Sequence, residues 1–452
     1  METQSSPAEG SVVAVLCLVQ FVDVLGVTVV VTALPAMLAD VGGTSADGTL
    51  VATGYAMFFG GLLMFGARLG DRVGHRRAIL TSLAVFAAGS LLAAEAGSVA
   101  VLTAARCVQG AAAAVAVPSA LTLLTTVAVG DRARARAVAA WSAAGAAAGA
   151  SGFVVGGLVS AATTWRVIFW GLLVMAPAQA LAIALLVPRG PRSAERSPLN
   201  AVGSALLTAA VMLLVVGTTF LGEDDRRLLG GLLVGAAAVV AVGFVVTDRR
   251  AAAPLLPASL LRRPQVLRGT GGSFVNTATT SGVATLITLY LQSTLGRSPL
   301  EAAATLLPLS ASVIAGAAAA GRLIVRRARE RVTAAGLALI GAGIAVPLLA
   351  PAGAVLVGTG MAVAGVGLGL SAVATTSMGT DVEESLRATT SGVINTSAQL
   401  GTAIGTALVL LVAAATTGVP DATTGTPVLA WAAPAVLAFA SALIFARLPA
   451  TA

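Results

Sequence analysis

Fourteen long apolar stretches dominate the sequence and restrict the fold more than any other feature. An α-helix needs about 20 apolar residues to span the hydrocarbon core of a bilayer, and the stretches have this length. They are rich in Ala and Leu, unlike the short alternating strands of membrane β-barrels. We therefore predict an all-α membrane protein with fourteen transmembrane helices. The predicted helices cover residues 12–36, 48–67, 78–97, 99–127, 137–160, 166–187, 200–221, 228–247, 270–294, 302–320, 332–350, 354–378, 388–415 and 428–447.

The composition excludes several classes of protein. The chain has 452 residues, of which 57% are hydrophobic and 10% charged, whereas about a quarter of the residues in a soluble domain are charged. The two cysteines lie inside apolar stretches and His75 is the one histidine, so neither a disulfide framework nor a metal site is expected. The sequence has no P-loop and no common catalytic motif. We therefore expect no enzyme and no cofactor, with an ion gradient or the substrate's own gradient as the energy source.

The arginines indicate how the chain lies in the membrane. All 27 basic residues are Arg, in short runs between apolar stretches, so no nucleic-acid partner is expected. Alternate loops hold 22 of them, and the other loops hold only Arg166, Arg226, Arg227 and Arg297. Cytoplasmic loops are enriched in basic residues, which predicts a multi-pass protein of the bacterial cytoplasmic membrane with both termini in the cytoplasm. The loop at 380–387 is the exception, because it belongs to the Arg-rich set but is net acidic.

Two Arg- and Pro-rich linkers divide the apolar stretches into groups of six, two and six. Related halves of this kind are how many secondary transporters are built. We predict two six-helix bundles that surround a central cavity, with two additional helices between them. The predicted parts are a cytoplasmic N-terminus (1–11), an N-terminal bundle (12–188), a linker with two helices (189–269) and a C-terminal bundle (270–452).

Two ionisable residues lie deep inside predicted helices. Asp23 and Arg106 enter from opposite sides of the membrane and reach similar depths. A charge there costs at least about 2.5–3.5 kcal/mol on insertion scales, so such residues usually have a function. Our hypothesis is that both face a common aqueous cavity and that Asp23 exchanges a proton during transport. The alternatives are a fixed structural ion pair and an Asp23 that is always neutral.

Polar and aromatic residues at helical spacing are candidates for a substrate cavity. Asn395 and Gln399 share a helix face with two threonines, and Gln20 shares one with Asp23. Such faces either line a cavity or join helices by hydrogen bonds, and the nearby Gly401 and Gly405 keep the second interpretation open. For the tyrosines, packing or interfacial anchoring is the alternative to contact with an apolar substrate. The candidate cavity residues are Gln20, Tyr55, Gln109, Asn276, Tyr290, Asn395 and Gln399.

The predicted helix at 137–160 carries a stripe of glycines on one face. A bare stripe lets another helix approach closely and also weakens the helix. It therefore predicts either a sliding contact used in transport or tight packing alone. The stripe consists of Gly145, Gly149, Gly152, Gly156 and Gly157.

Five motifs, in order along the chain, resemble those of one transporter family. They are Ala67-Arg-Leu-Gly-Asp71-Arg72-Val-Gly74-His-Arg76-Arg77, Leu102-Thr-Ala-Ala-Arg106-Cys-Val-Gln109-Gly110, Trp165-Arg-Val-Ile-Phe-Trp170, Leu289-Tyr-Leu-Gln292 followed by Gly296-Arg-Ser-Pro-Leu300, and Ser391-Gly-Val-Ile-Asn395-Thr with Gln399-Leu-Gly401. Over essentially its whole length the chain resembles the major facilitator superfamily, specifically its fourteen-helix drug:proton antiporter branch.

The resemblance implies roles for particular residues. Arg106 would take part in proton coupling. The first motif would act in cytoplasmic gating. Its residues are Gly70, Asp71, Arg72, Gly74, Arg76 and Arg77. The residues agree, because Asp71 is the only acid among five basic side chains and needs a partner such as Arg76, Arg136 or a helix N-terminus. The alternative is that the loop only sets the topology.

The chain departs from the family at several positions. In the first motif, Ala67 replaces a Gly and His75 a basic residue. The antiporter motif lacks a Pro before Gly156, and Gly26 and Val31 stand where the first helix of the family has an Asp and an Asn.

The expected function is proton-coupled export of amphipathic organic compounds, such as drugs, antibiotics or secondary metabolites, by alternating access. We expect a monomer embedded in the lipid bilayer with a small amphipathic molecule as its substrate. The main alternative is a narrow-specificity facilitator or symporter of the same fold for a nutrient or metabolite. A membrane sensor or scaffold would need a soluble binding surface, for which the loops are short. A membrane-embedded enzyme would need a nucleophile, a base or metal ligands, none of which the sequence groups together.

Overall fold

The computed structural model describes residues 7–44, 47–128, 130–188, 199–223, 225–348, 353–417 and 428–449. Within these ranges the chain is helical without strands, and fourteen long helices occupy the predicted apolar stretches, so the fold class is confirmed. They are α1 (Pro7–Val41), α2 (Asp47–Val73), α3 (His75–Ala94), α4 (Val99–Val127), α5 (Asp131–Ala162), α6 (Arg166–Leu186), α7 (Ala201–Leu221), α8 (Arg227–Arg250), α9 (Pro264–Leu289), α10 (Pro299–Leu323), α11 (Arg329–Ala345), α12 (Ala354–Gly379), α13 (Glu384–Thr417) and α14 (Val428–Arg447).

The helix α9 lacks a membrane-length stretch as apolar as those of the other long helices. Thirteen of the helices in the described ranges are long and apolar enough to cross a membrane, and α9 is the one that falls short. Its Ser, Thr and Asn residues lower its mean hydropathy, and many of them, including Asn276, are buried. The helix packs against α12, α13 and α14. Its polar side chains are therefore enclosed by other helices.

The N-terminal helices α1 to α6 share one apolar core, and α9 to α14 share another. The first cluster of buried side chains runs from Val12 to Val187. The second runs from Val283 to Phe445 and also takes in Phe153 of α5. Between them along the chain, α7 packs against α2 and α13, and α8 packs against α7.

Two glycines allow α2 and α4 to pack backbone to backbone. A Cβ at Gly66 would lie 2.0 Å from the carbonyl oxygen of Ala114, and one at Gly110 would lie 2.2 Å from that of Tyr55. Glycine is the residue that leaves this space free, because it has no side chain. The close approach holds Tyr55 against α4 near Arg106.

Some contacts between the two groups of helices lie toward the end away from the termini, and others, such as Gly60 with Gln399, lie nearer the middle. An even number of crossings leaves the start of α1 and the end of α14 at one end of the bundle. Near the opposite end, the Gln292 side-chain amide donates a hydrogen bond of 2.9 Å to the Thr32 carbonyl of α1. There too, Gly157 of α5 packs against Ala303 of α10.

Asp248, at the end of α8, is a buried carboxylate with three hydrogen-bond donors. It accepts from Asn200 Nδ2 at 2.7 Å and from the backbone N–H groups of Leu255 at 2.7 Å and Leu256 at 3.0 Å. These bonds hold the start of α7, the end of α8 and the following segment together.

The segment after α8 is also bound to α2. The Arg68 guanidinium donates hydrogen bonds to the carbonyl oxygens of Ala253 at 2.6 Å and Pro254 at 2.8 Å. Arg68 is part of the first family motif. The additional helices are therefore attached to the end of α2 that carries this motif.

We expect Asp248→Ala to lower the stability of the protein by at least about 2 kcal/mol, because a hydrogen bond to a charged group contributes about 1.5–3 kcal/mol and three are lost. Thermal unfolding of the purified protein in detergent measures this. Asp225→Ala is the matched control, because the Asp225 side chain is 80% exposed. Equal unfolding midpoints for the two variants would contradict the role of Asp248.

Candidate functional site

The two deep charges meet around the ring of Tyr55. The Tyr55 hydroxyl donates a hydrogen bond to Asp23 Oδ1, and the guanidinium carbon of Arg106 lies 4.7 Å from the centroid of the Tyr55 ring. Asp23 is 8% exposed, and Tyr55 and Arg106 are 1% exposed. Asp23 and Arg106, which we predicted at similar depths, therefore belong to one buried cluster. Tyr55 lies between the Asp23 carboxyl group and the Arg106 guanidinium.

Hydrogen bonds connect Arg106 of α4 to α1 directly and to α3 through Gln109. Arg106 Nη1 donates hydrogen bonds to the Gly26 carbonyl of α1 at 3.1 Å and to Gln109 Oε1 at 2.8 Å. Gln109 Nε2 in turn donates to Ser90 Oγ of α3 at 2.9 Å. The resemblance would place a carboxylate at Gly26, and in this chain the guanidinium contacts the backbone carbonyl there instead.

The cluster changes its net charge when Asp23 binds a proton. Arg is protonated at all physiological pH values, so ionised Asp23 and Arg106 together carry no net charge. Protonation of Asp23 leaves one buried positive charge, which burial makes costly unless the surroundings adjust. The geometry can therefore link a proton on Asp23 to the positions of α1, α2 and α4.

The structure separates Gln20 from Asp23. Gln20 lies against α5, where a Cβ at Gly145 would be 3.1 Å from its Nε2, whereas Asp23 contacts α2. Residues three apart on a helix differ by about 60° in direction, which here is enough to give them different neighbours. The two side chains do not line one cavity among the described residues.

The other candidate cavity residues occupy several places. Asn276 is buried and its Nδ2 lies 3.5 Å from the Leu368 carbonyl. Tyr290 packs edge to face on Trp431 with ring centroids 6.3 Å apart. Asn395 is exposed, and Gln399 lies half-buried beside Gly60 of α2. Tyr55 and Gln109 belong to the Arg106 cluster.

The glycine stripe of α5 faces two helices. Gly152 and Gly156 lie against Thr28 and Thr32 of α1, where a Cβ would come within 1.8 Å and 2.2 Å of the hydroxyl oxygens. Gly157 turns toward α10. Gly145 and Gly149 lie closest to Gln20 and Val24 of α1, respectively, and Gly149 also to Ser310.

The first motif joins α2 to α3 through a tight turn. Gly74 has φ of +92°, a conformation that side chains other than glycine rarely adopt. The neighbour of Asp71 is not one of the partners we expected. The Oδ1 atom of Asp71 lies 3.2 Å from His75 Nε2, one helical turn away. Arg76 donates to the Ala184 carbonyl of α6 at 2.7 Å, because the start of α3 points it at the end of that helix.

The remaining residues of the first motif are two exposed arginines and a buried glycine. The arginines are Arg72 and Arg77. Gly70 is buried, and a Cβ there would lie 2.5 Å from Ser119 Oγ of α4 and 2.6 Å from His75 Nδ1. The motif therefore binds α2, α3, α4 and α6 together within the N-terminal group of helices.

Asp71→Asn is expected to reduce substrate transport at least about tenfold at a normal amount of protein in the membrane, because the motif loses its acidic group next to His75. Transport by membrane vesicles, normalised to protein level, measures it. The exposed Asp225 provides the control substitution Asp225→Asn. Wild-type transport by Asp71→Asn would leave the arginines of this loop with a role in topology only.

The net-acidic loop at 380–387 is balanced by neighbouring arginines. Asp381 pairs with Arg329, and Glu383 Oε2 lies 2.9 Å from Arg263 Nη1. The hydrogen bond from Arg263 lowers the pKa of Glu383 below its usual value. The loop that departs from the arginine rule is therefore neutralised by the arginines of its neighbours.

Sequence reasoning missed a buried glutamine, Gln179 of α6. It is 2% exposed and lines a pocket that also includes Asp23 and Ser82. The available signal was one strongly polar residue inside an otherwise apolar predicted helix. It carried little weight, because the pocket becomes visible only when α1, α3, α4 and α6 are assembled.

A bundle of long apolar helices that encloses a buried acidic residue and a buried arginine is typical of polytopic membrane transporters. The chain belongs to the Major Facilitator Superfamily, whose family model matches residues 16–406. Members of this family are transporters, which confirms that the chain is a transport protein rather than an enzyme.

Several relatives are named for transport, export or resistance. A probable actinorhodin transporter of Streptomyces coelicolor is 32% identical over 404 residues, which are 86% of this chain and 70% of the relative. The cephamycin export protein of Amycolatopsis lactamdurans is 33% identical over 423 residues, 91% and 86% of the two chains. The tetracenomycin C resistance and export protein of Streptomyces glaucescens is 31% identical over 397 residues, 86% and 73% of the two chains.

Solved structures share the fold. A bacterial homologue of the human lysosomal transporter Spinster, in an inward-facing and unoccupied conformation, has a TM-score of 0.67 at 17% identity and covers 98% of this chain and 96% of its own. A peptide transporter in complex with sulfate has a TM-score of 0.69 at 16% identity, with 96% and 93% covered.

Proposed function

We propose that the protein exports amphipathic antibiotics or related secondary metabolites from the bacterial cytoplasm in exchange for protons. The observation that carries the proton coupling is Asp23, a buried carboxyl group hydrogen-bonded by Tyr55 beside Arg106. The relatives named as a probable actinorhodin transporter, a cephamycin export protein and a tetracenomycin C resistance and export protein support the substrate class. No cofactor is required, because the proton gradient supplies the energy.

The proposed mechanism is alternating access between two halves, residues 12–188 and 270–452, with the helices of 189–269 beside them. With both termini in the cytoplasm, the contacts of Gln292 with Thr32 and of Gly157 with Ala303 close the outer end. In the proposed cycle, this arrangement of the helices is the inward-facing state. Opening to the outside requires these contacts to separate, and the glycine stripe of α5 would slide on α1 and α10 as they do.

The proposed substrate cavity lies between the halves and uses polar side chains that face it from both. Gln20 of α1 and Asn276 of α9 are the strongest candidates, because each has a buried oxygen, Oε1 and Oδ1 respectively, without a partner among the described residues. Asn395 and Gln399 would contact substrate from α13. The first motif would stabilise the outward-open state, and the unit of transport would be a monomer.

A narrow-specificity facilitator or symporter remains the second candidate. Two departures from the antiporter pattern favour it: the missing Pro before Gly156 and Gly26 in place of an Asp. The direction of coupling separates the two functions. An antiporter accelerates efflux when the outside is acidic, whereas a symporter accelerates uptake.

The test is ethidium efflux from a pump-deficient bacterial host that expresses the chain, with and without a protonophore. Export that the protonophore abolishes supports proton antiport by a polyspecific pump. Absence of efflux, with the protein confirmed in the membrane, contradicts polyspecific export and favours a narrow substrate or an importer. Arg106→Ala is the matched inactive variant, because it removes the cation of the buried cluster.

A further inference from the structure

The first helix presents Asp23 and Gln20 to different surroundings. Gln20 faces α5, which also contacts α10 of the other half. Asp23 faces Tyr55 of α2 and a pocket inside the N-terminal group of helices. Asp23 and the proposed substrate cavity therefore lie on different sides of α1.

The pocket beside Asp23 is bordered by α1, α3, α4 and α6 and is open on one side. The centre of a water molecule can occupy about 20 Å³ of it. A cavity needs about 10–15 Å³ of such space to hold one water molecule, so there is room for about one. The lining residues are Val19, Val22, Asp23, Ser82, Leu83, Phe86, Ala112, Ala113, Ala116, Val117 and Gln179.

Gln179 gives this mostly apolar pocket an unsatisfied polar group. Neither its Nε2 nor its Oε1 has a hydrogen-bond partner among the described residues. A buried amide left unpaired costs about 1–3 kcal/mol, and a buried water is retained where it has two to four polar partners. The Gln179 amide of α6 and the Asp23 carboxyl group of α1 are the partners that the pocket lining offers.

The other titratable groups around Asp23 are already engaged. From α2, the Tyr55 hydroxyl donates a hydrogen bond to Asp23. From α4, Arg106 donates hydrogen bonds to Gly26 and Gln109. The lining residues from α3 and α6 carry no titratable side chain, and Ser82 donates its hydroxyl to the Ala78 carbonyl. A proton that reaches Asp23 through the pocket therefore meets Gln179 as the free polar group.

We propose that this pocket is a water site through which Asp23 exchanges its proton, and that Gln179 holds the water in place. The inference rests on the proposed proton coupling of Asp23. In the step itself, an O–H bond of a hydronium ion breaks as one forms on the Asp23 carboxylate, and water remains. Proton and substrate then occupy separate sites on the two sides of α1, and they are coupled by movement of this helix rather than by competition for one space.

The test uses Gln179→Met, which removes both hydrogen-bonding groups at similar volume, and Gln179→Asn, which keeps an amide donor and acceptor. The full chain is reconstituted in liposomes with ethidium as the probe. Ethidium transport driven by a pH gradient should fall at least about tenfold in Gln179→Met, as expected for loss of a proton-transfer group. Ethidium exchange at equal pH, which needs no net proton transfer, should stay within about twofold. Gln179→Asn should retain both activities.

An infrared measurement tests the water site without transport. The carboxyl band of protonated Asp23, identified by its loss in Asp23→Asn, should shift in Gln179→Met because the water loses its second partner. Unchanged driven transport and an unchanged band would overturn the inference, as would an equal fall in driven transport and exchange. If wild-type protein shows no gradient-driven transport, the proposed function fails, and the infrared band still decides whether Gln179 and Asp23 share a water.

Discussion

Replacement of Asp23 by Asn is expected to abolish ethidium efflux driven by a proton gradient, with a loss of at least about a hundredfold. The amide has nearly the same shape and still accepts the hydrogen bond from Tyr55, but it cannot bind and release a proton. Substrate exchange at equal pH should persist, because it requires only the movement of the loaded transporter. The two assays on the same proteoliposomes measure the difference.

A control separates loss of the proton site from loss of the fold. Asp225→Asn removes an exposed carboxylate and should leave both activities unchanged. Full gradient-driven transport by Asp23→Asn would show that another group carries the proton. Loss of exchange together with driven transport would instead show that Asp23 is needed for the structure.

Substitution of Gly110 by Ala is expected to have the largest effect of any single added methyl group near the cluster. The new Cβ would lie 2.2 Å from the Tyr55 carbonyl oxygen and 2.9 Å from its carbonyl carbon, so α2 and α4 must separate. Overpacking of this kind costs about 1–3 kcal/mol or more. The shift also moves Tyr55 away from Arg106, so transport should fall with stability.

Gly171→Ala of α6 is the matched control, because nothing lies within 4 Å of a Cβ at that position. Thermal unfolding in detergent and gradient-driven efflux measure both effects. An unfolding midpoint of Gly110→Ala equal to that of Gly171→Ala would contradict the tight packing of α2 on α4.

Much of the architecture could be predicted because membrane thickness sets helix length. The apolar stretches give the helices with small differences in their bounds. For example, α9 begins at Pro264 rather than 270, since proline is well accommodated in the first helical turn. The stretch at 270–294 also corresponds to a helix, α9, although its buried polar residues lower its hydropathy below that of a typical membrane helix.

The site was only partly predictable. Asp23 and Arg106 stand out in sequence, since buried charges are rare in membrane helices. Their connection through Tyr55 depends on helix rotation and on the approach of α2 to α4 at Gly66 and Gly110, which periodicity does not determine. For the same reason, the sequence predicted that Gln20 and Asp23 share one face of α1, whereas they contact different helices.

The packing of α9 has a consequence for how the protein is made. A helix of such low hydropathy partitions poorly from the translocon into lipid by itself, since polar residues there oppose insertion. The helices α12 and α13 that enclose its polar side chains are synthesised later. We therefore expect α9 to become stably inserted only after α12 and α13 have been synthesised, so that the C-terminal helices assemble together at a late stage of translation.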